Sequence, residues 1–355
     1  MSTIETVEAV IVQPVANRDA ILSTIADEVA SSTQKAYAQS MKGLLAFYEQ
    51  QGWDFYPQSG DVTRDSGMFT ERVLSYLRHL ADNGRTLSTI NKTLAAVKNR
   101  TSFENPLFYS ALHSKPVKAF MEGLARQGKE HSPRKAQAFT LDDLNLIYKS
   151  ISTHTPRDIR DKALIALGVA TALRSSNLGE LTLSDITPAV AIDGVNVRVR
   201  FSKTDQTGQG IFIPVARFSK RRFDPVRALT DWLAVLRSFG YTKETHPKFP
   251  LFPVIRGLRG VQATGMRHPS IAITEMLRQR VLEASVASPA QAEAFSSHSL
   301  RATFITLSNQ AGVAEKDIAR VSGHKDMTTL RGYDRTSAEM SAQTAYLNPV
   351  KKKSR

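Results

Sequence analysis

The chain has 355 residues, of which 41% are hydrophobic and 23% are charged, a composition typical of a soluble globular protein with room for two domains. Its formal net charge of +14 favours a polyanionic partner, for which nucleic acid is the best candidate. The absence of cysteine excludes disulfides, thiolate metal sites and cysteine nucleophiles, and the longest apolar run, 163–173, is too short to span a membrane.

The first part of the chain is predicted to be helical. Residues 1–18 have no convincing apolar period and are interpreted as a flexible tail. From 19 to 128, apolar side chains recur at helical spacing and strand signals are few. The helices are expected from a Ser32–Thr33 cap to Gly52, and at 68–83, 88–101 and 115–127. They predict a compact helical domain.

Residues 129–138 differ from both of their neighbours in composition. They contain several basic side chains, one proline and few apolar groups. This composition predicts a linker between domains. Its basic side chains could follow a phosphate backbone or only face solvent, and the segment alone favours neither.

The second part of the chain mixes helices with a few strands. A buried helix is expected at 158–174, and strands are expected at 195–201 and 211–215, joined by a polar loop. Further helices are expected at 224–239, 270–287, 298–311, 315–321 and 337–346. The predicted fold class is mainly α with a small antiparallel β-sheet, and the last residues, 348–355, form a basic tail.

Six residues of the second part have side chains suited to phosphate chemistry. They are Arg174, Lys203, His298, Arg301, His324 and Tyr333. A tyrosine hydroxyl is a weak nucleophile, and its attack on a phosphodiester adds negative charge to the nonbridging oxygens. Arginines can stabilise that charge, histidines can add hydrogen bonds, and a lysine can protonate the departing oxygen. Together the six residues predict an enzyme that cuts and rejoins DNA.

Taken singly, each of these residues has a structural explanation. Arg174 could be a helix-end arginine stabilised by the helix dipole, Lys203 a solvated loop lysine, and Tyr333 a half-buried aromatic. A histidine three residues before an arginine arises easily by chance, and His324 follows a glycine at a helix end. The hypothesis therefore depends on the combined order and spacing of the six residues.

The same residues and their surroundings resemble the signature of the tyrosine recombinase (phage integrase) family, and in particular its Cre-like members. The motifs are HSLR at 298–301, GHK at 323–325 and RGYDR at 331–335. The resemblance implies a two-domain, C-shaped DNA clamp. A helical core-binding domain would occupy 19–128, and an α+β catalytic domain would occupy 139–347.

The resemblance also implies a role for each of the six residues. Tyr333 would attack the phosphate and hold a 3′-phosphotyrosyl bond, while Arg174 and Arg301 bind the phosphate. The two histidines would hydrogen-bond the phosphate or shuttle the nucleophile's proton, and Lys203 would protonate the leaving 5′-hydroxyl. No metal, ATP or other cofactor is expected, because the phosphotyrosine conserves the bond energy.

The partners follow from the same resemblance. Double-stranded DNA with an inverted-repeat target is expected, and four protomers on two sites would exchange strands through a Holliday junction. Free of DNA, the protein would be a monomer or a weak oligomer, and residues 340–347 would form a helix that docks on a neighbouring protomer. We expect a cytoplasmic, nucleoid-associated protein encoded by a bacterium, phage or plasmid, with no membrane partner.

One position departs from the family's pattern. Three residues after Arg174 the family often has an acidic residue, whereas this chain has Asn177. Asn177 supports one alternative, a sequence-specific DNA-binding regulator of the same fold that does not cleave DNA. A second alternative is a related topoisomerase or telomere resolvase.

Two helices of the first domain are candidates for binding in the major groove, by resemblance those that begin near Ser32 and Ser88. Five polar side chains on them are candidate DNA contacts, namely Lys35, Gln39, Lys42, Asn91 and Lys92. Asparagine and glutamine can bond to adenine edges, whereas lysine mainly binds phosphate. An ordinary solvated helix face is the other explanation for each of them.

Overall fold

The computed structural model describes residues 31–127, 136–200, 210–218, 223–255, 267–324 and 327. The chain divides into two compact units, 1–133 and 134–355. The predicted terminal tails, most of the linker, the loop between the two strands and the helix expected at 337–346 lie outside the described residues.

The described part of the first unit is helical, as predicted. Its helices are α1 (Ser31–Gln50), α2 (Val62–Asp82), α3 (Leu87–Glu104), α4 (Pro106–Ala111) and α5 (Lys115–Gln127). Helix α2 begins six residues before the expected position 68, because the Asp61 side chain accepts hydrogen bonds from the backbone N–H groups of Thr63 and Arg64. The Ser32–Thr33 pair lies inside α1.

The core of the first unit is aromatic as well as aliphatic. Phe69 of α2 stacks on Phe108 of α4 with the ring centroids 4.9 Å apart, and Leu44 and Tyr48 of α1 are buried. Helices α1 and α3 pack against each other. Their outward-facing polar side chains are therefore presented on neighbouring helices.

The second unit contains helices around a small sheet. Its described helices are α6 (Leu141–Ser150), α7 (Pro156–Thr171), α8 (Ser175–Glu180), α9 (Pro225–Ser238), α10 (Ser270–Glu283), α11 (Pro289–Ala292), α12 (Ser297–Gln310) and α13 (Glu315–Ser322). A 3₁₀ turn, Leu183–Asp185, precedes the first strand. Helix α6 was not predicted, although Thr140 and Asp143 form a capping box at its start.

The sheet has three antiparallel strands in the order β1 (Ile186–Pro188), β2 (Gly194–Val199) and β3 (Ile211–Ala216). Val197 of β2 pairs with Ile186 on one side and with Ile213 on the other. The predicted pair of strands is confirmed, and β1 is additional. The fold class, mainly α with a small antiparallel sheet, is also confirmed.

Helix α7 lies at the centre of the second unit and packs against α9 and α12. The approach to α12 is close at Gly168, where a Cβ atom would lie 2.5 Å from the Cδ1 atom of Leu300. A larger residue at 168 would require the Leu300 side chain to move or the two helices to separate. Of the described helices, none has the length and apolar character needed to cross a membrane.

Candidate phosphate-binding site

Arg174 lies in the turn that follows α7, just before α8. Helix α7 ends at Thr171, because Ala172 adopts the left-handed conformation with φ 52°. Arg174 has extended backbone and occupies the position before the first residue of α8. The prediction that the long helix extends to Arg174 was therefore wrong, because Arg174 lies three residues beyond Thr171, the last residue of α7.

Arg301 lies in the second turn of α12, one turn after the start of the helix. Its side chain is buried, with an exposed fraction of 4%, and its Nη1 donates to the backbone carbonyl of Ala172 over 2.9 Å. The contact joins the start of α12 to the turn that carries Arg174. Two arginines 127 positions apart in sequence (301 − 174) are thereby brought to one place.

His324 is placed beside Arg301 by the end of α13. Gly323 ends that helix with φ 66°, a left-handed conformation that glycine adopts without steric cost. The His324 backbone N–H then donates to the carbonyl of Ala319 over 3.1 Å. Nη2 of Arg301 lies 3.1 Å from Nε2 and 3.3 Å from Nδ1 of the His324 ring.

His298 lies one turn from Arg301 on α12, as the spacing of the two residues predicted. Its side chain reaches the surface but is partly desolvated by its neighbours, while Arg301 is buried. The Oγ of Ser296, which caps the helix, accepts from the His298 backbone N–H over 3.3 Å. His298 is thus held in the first helical turn, where the helix dipole adds a positive potential.

The electrostatics of both histidines show that the two arginines act on one small region. Burial, followed by the charges of Arg301 and Arg174, lowers the pKa of His324 to about 4. Desolvation by the surrounding protein and then the same two guanidinium groups lower the pKa of His298. Both rings are therefore neutral at pH 7, and the region carries the charges of Arg174 and Arg301.

An anion would be stabilised here by charge-assisted hydrogen bonds from two guanidinium groups. The neutral imidazoles can add hydrogen bonds, and the start of α12 contributes its partial positive charge. Within the described ranges, no group of three or more histidines and carboxylates is placed to hold a metal ion. The arrangement is suited to a phosphate group.

The structure brings four of the six predicted site residues together, and the other two, Lys203 and Tyr333, lie outside the described residues. The start of the loop that carries Lys203 is described, and it is anchored at Arg200. Nε of Arg200 donates to the buried carboxylate of Asp185 over 2.7 Å. Its Nη2 donates to Ser184 Oγ over 2.5 Å and to Thr182 Oγ1 over 3.2 Å. The loop therefore begins from a fixed position.

A comparison with protein families identifies the chain. Residues 137–340, more than half of the sequence, match the model described as "Phage integrase family". The chain belongs to the phage integrase family.

Individual relatives of this phage integrase family member are distant. It is 25% identical over 304 residues to an integrase/recombinase XerD homolog from Selenomonas ruminantium, covering 86% of this chain and 81% of the relative. It is 23% identical over 327 residues to the tyrosine recombinase XerD of Halalkalibacterium halodurans, covering 90% and 93% of the two chains. The narrower likeness to Cre is only loosely supported by relatives with these names.

Two solved structures have the same fold. A lambda integrase fragment, crystallised as a dimer bound to a COC′ core site, aligns with a TM-score of 0.55 and 16% identity, covering 91% of this chain and 95% of that one. The Tn1549 transposon integrase in complex with circular intermediate DNA aligns with a TM-score of 0.56 and 16% identity, covering 98% of both chains. At these identities the comparison establishes the fold and no more.

Asn177, the position that departs from the integrase pattern, is buried on α8 one turn after Arg174. It lines a cleft of about 300 Å³. The same cleft is lined by three arginines, Arg198, Arg200 and Arg267, and by two carboxylates, Glu180 and Asp185. Asn177 therefore lies near side chains of both charges.

The five candidate DNA contacts of the first unit are all exposed. Lys35, Gln39 and Lys42 lie on one face of α1, since their spacing is one and two helical turns. Asn91 and Lys92 lie in the first turns of α3. Exposure on two neighbouring helices is compatible with a DNA-binding face, and the contacts themselves stay a prediction.

Two residues that contact the candidate phosphate-binding site were not predicted from the sequence. The Ala172 carbonyl acts through the backbone and has no side-chain signature. Ser322, whose Oγ lies 2.8 Å from Nδ1 of His324, is two positions before that histidine and adjacent to the helix-ending Gly323. A polar residue at the last position of a helix, just before the glycine, was the signal that could have found it.

Proposed function

We propose that the protein is a site-specific DNA recombinase, which cleaves and rejoins DNA through a 3′-phosphotyrosyl intermediate without metal or ATP. The observation that carries this proposal is the cluster of Arg174, Arg301, His298 and His324 around one anion-binding position. Membership of the phage integrase family and the relatives named tyrosine recombinases support it.

The proposed chemistry assigns Tyr333 as the nucleophile. Its oxygen attacks phosphorus while Arg174 and Arg301 hold the nonbridging oxygens. Each well-aimed donor to a developing negative charge is worth a factor on the order of 10²–10³ in rate. Lys203 then protonates the departing 5′-oxygen, and the 5′-hydroxyl of the partner strand later reverses the attack.

The proposed assembly is a homotetramer on two inverted-repeat DNA sites, with strand exchange through a Holliday junction. Within each protomer, the helical domain at 19–128 and the catalytic domain at 139–347 form a clamp on DNA, joined by the linker at 129–138. The helix at 340–347 docks on the neighbouring protomer. Bacterial relatives support a bacterial or phage origin, and we infer a cytoplasmic location on the nucleoid.

A regulator that binds DNA without cleaving it is not favoured. Its support was Asn177, which cannot supply the charge of the usual acidic residue. A regulator would not need two arginines and two neutral histidines converging on one anion position. The cluster therefore favours catalysis over binding alone.

The test uses a DNA substrate nicked near the cleavage point, so that the short cleaved strand diffuses away and the covalent complex accumulates. We expect Arg301→Lys to lower the rate of complex formation by a factor on the order of 10², because lysine cannot replace the fork of donors. Arg237→Lys, an exposed substitution on α9, is the matched control and should leave the rate unchanged. Complex formation that is unaffected by Arg301→Lys while DNA binding is intact would overturn the proposal.

A further inference from the structure

Ser322 makes two short contacts at the end of α13. Its side chain is buried, with an exposed fraction of 3%. The Oγ atom lies 2.7 Å from the backbone carbonyl oxygen of Ile318, one turn earlier. It also lies 2.8 Å from Nδ1 of His324.

The two contacts determine where the hydrogen atoms are. A carbonyl oxygen can only accept, and a serine hydroxyl has a single hydrogen to donate. That hydrogen is therefore given to Ile318, so the second contact needs a hydrogen from Nδ1 of His324. In a neutral imidazole with hydrogen on Nδ1, the lone pair is on Nε2. Nη2 of Arg301 lies 3.1 Å from Nε2 and 3.3 Å from Nδ1, and with hydrogen on Nδ1 only Nε2 can accept from it.

We propose that Ser322 is a positioning residue that fixes His324 in the tautomer with hydrogen on Nδ1, so that Nε2 enters the reaction as a proton acceptor. The tautomer is a property of the folded protein. Its catalytic consequence rests on the proposed function.

A neutral ring is consistent with this arrangement. Burial and the charges of Arg301 and Arg174 lower the pKa of His324 to about 4. A cationic ring would carry N–H groups on both nitrogens and a positive charge, with Nη2 of Arg301 only 3.1 Å from Nε2 and 3.3 Å from Nδ1. This proximity of a guanidinium group favours the neutral ring.

DNA binding would make the Nε2 lone pair available. When the phosphate arrives, Arg301 donates to its oxygens instead of to His324. The negative charge of the phosphate also offsets the two guanidinium charges that lower the pKa of the ring, so the ring becomes a stronger base. As the bond from Tyr333 Oη to phosphorus forms, the hydroxyl proton moves to Nε2. The bond from phosphorus to the 5′-oxygen breaks, and that oxygen takes its proton from Lys203.

The first test is a nitrogen-15 NMR measurement on the full-length protein with labelled histidine at pH 7.5. Two-bond couplings distinguish protonated from unprotonated ring nitrogens, and the variant His324→Gln assigns the resonances among the eight histidines of the chain. We expect a protonated Nδ1 and an unprotonated Nε2 for His324. In Ser322→Ala the hydrogen should move to Nε2, the nitrogen that is protonated in most free histidine side chains. An unprotonated Nδ1 in the unmodified protein would overturn the proposal.

The second test measures formation of the covalent complex. Ser322→Ala should slow it about tenfold, which corresponds to about 1.4 kcal/mol, whereas Ser322→Thr keeps a hydroxyl and should retain most of the rate. Thr230→Ala is the matched control, because it removes a hydroxyl that donates to the carbonyl one turn earlier, that of Val226, with no histidine beside it.

The outcomes separate this inference from the proposed function. If Ser322→Ala changes the tautomer but leaves the rate unchanged, the catalytic consequence is wrong. If the tautomer is as expected but the unmodified protein never forms a covalent complex, the recombinase proposal fails and the assignment of Ser322 to the tautomer stands.

Discussion

At Ala172 the backbone adopts the left-handed conformation, which residues other than glycine and asparagine rarely adopt. The residue is buried and has φ 52° and ψ 21°. For alanine this conformation costs about 1–2 kcal/mol. This turn nevertheless helps to position Arg301, because it directs the Ala172 carbonyl to Nη1 of that residue. The strain is located where the phosphate-binding arginine needs a fixed partner.

Glycine should therefore be tolerated at this position. We expect Ala172→Gly to leave the free energy of unfolding within about 1 kcal/mol of its original value, because relief of strain offsets the extra freedom of the unfolded chain. Ala172→Val should lower it by about 2 kcal/mol or more, since a β-branched residue is a strong outlier in this conformation. Denaturant titration measures both changes.

Ala163→Gly provides the control for this substitution. Ala163 is buried in the regular part of α7, where the same exchange should lower the free energy of unfolding by about 1 kcal/mol. If Ala172→Gly is the more destabilising of the two, strain at Ala172 is not the reason for its conformation.

Two histidines make the stability depend on pH. Burial, followed by the charges of nearby arginines, lowers the pKa of His324 to about 4, and burial with the charge of Arg160 lowers the pKa of His268 to about 4. Between about 6.5 and about 4 the unfolded chain therefore binds more protons at these residues than the folded chain, so stability falls as the pH is lowered through this window. The pH dependence fades as the pH rises above about 6.5, where the unfolded chain also loses these protons.

Denaturant unfolding at several pH values measures this effect. We expect His268→Asn to reduce the loss of stability between pH 6.5 and pH 4.5, because a neutral amide takes up no proton. His154→Gln changes an exposed histidine and is the control for the loss of an imidazole. A pH dependence that is the same in all three proteins would contradict the assigned burial of His268.

On the scale of elements, the close packing of α7 on α12 connects the core with the site. A Cβ atom at 168 would meet Leu300 at 2.5 Å and Leu178 at 3.2 Å, and Leu300 directly precedes Arg301. We expect Gly168→Ala to lower the free energy of unfolding by about 1–3 kcal/mol and to slow formation of the covalent complex by displacing Arg301. Denaturant titration and the nicked substrate measure the two effects.

The same substitution at Gly123 is the matched control. Gly123 lies in helix α5 with open space around its missing Cβ, so Gly123→Ala should stabilise the protein by up to about 1 kcal/mol. If Gly168→Ala is equally stabilising, the helices do not approach as closely as described.

Much of the element order was predictable, because buried helices and paired strands have strong periodic patterns. The hairpin of β2 and β3 followed from the alternation in VNVRVRF. Strand β1 has only three residues, too few for any alternation to be recognised. The end of α7 was predicted too late, since nothing in an apolar run that ends in alanine and leucine indicates a left-handed residue at Ala172. The conformation of Ala172 is stabilised by a tertiary contact, the hydrogen bond that Arg301 donates to its carbonyl.

For the candidate site, the sequence predicted which residues take part but not all of the contacts between them. The sequence singled out Arg301 and His324 by their spacing, and the structure places their side chains in contact. The contact between Ser322 and His324 depends on the left-handed conformation of Gly323, which lies between them in the sequence. This turn brings the two side chains within hydrogen-bond distance. Such geometry could be derived only from the folded backbone.

On the scale of the whole molecule, the net charge of +14 should make DNA binding strongly dependent on salt. Neutralised phosphates release counterions, so affinity should fall by a factor on the order of 10³ or more between about 50 and about 200 mM salt. Titrations of labelled DNA at several salt concentrations measure this slope. A flat salt dependence would show that the basic surface does not bind the DNA backbone.

Two of the candidate DNA contacts should affect binding differently. Lys35→Ala should weaken binding to every sequence and reduce the salt slope by about 1, whereas Asn91→Ala should cost about 1–3 kcal/mol on the preferred target only. Lys118→Ala removes an exposed lysine from α5 of the same unit and is the control. Equal effects of Lys35→Ala and Lys118→Ala on the salt slope would contradict a special role for α1.

The most direct measurement is mass spectrometry of the covalent complex trapped on nicked DNA. After digestion, we expect a single modified peptide in which Tyr333 carries the 3′-phosphate of the cleaved strand, and no complex at all from Tyr333→Phe. A nucleotide attached to any other residue, attachment through a 5′-phosphate, or a complex that still forms with Tyr333→Phe would contradict the proposed chemistry.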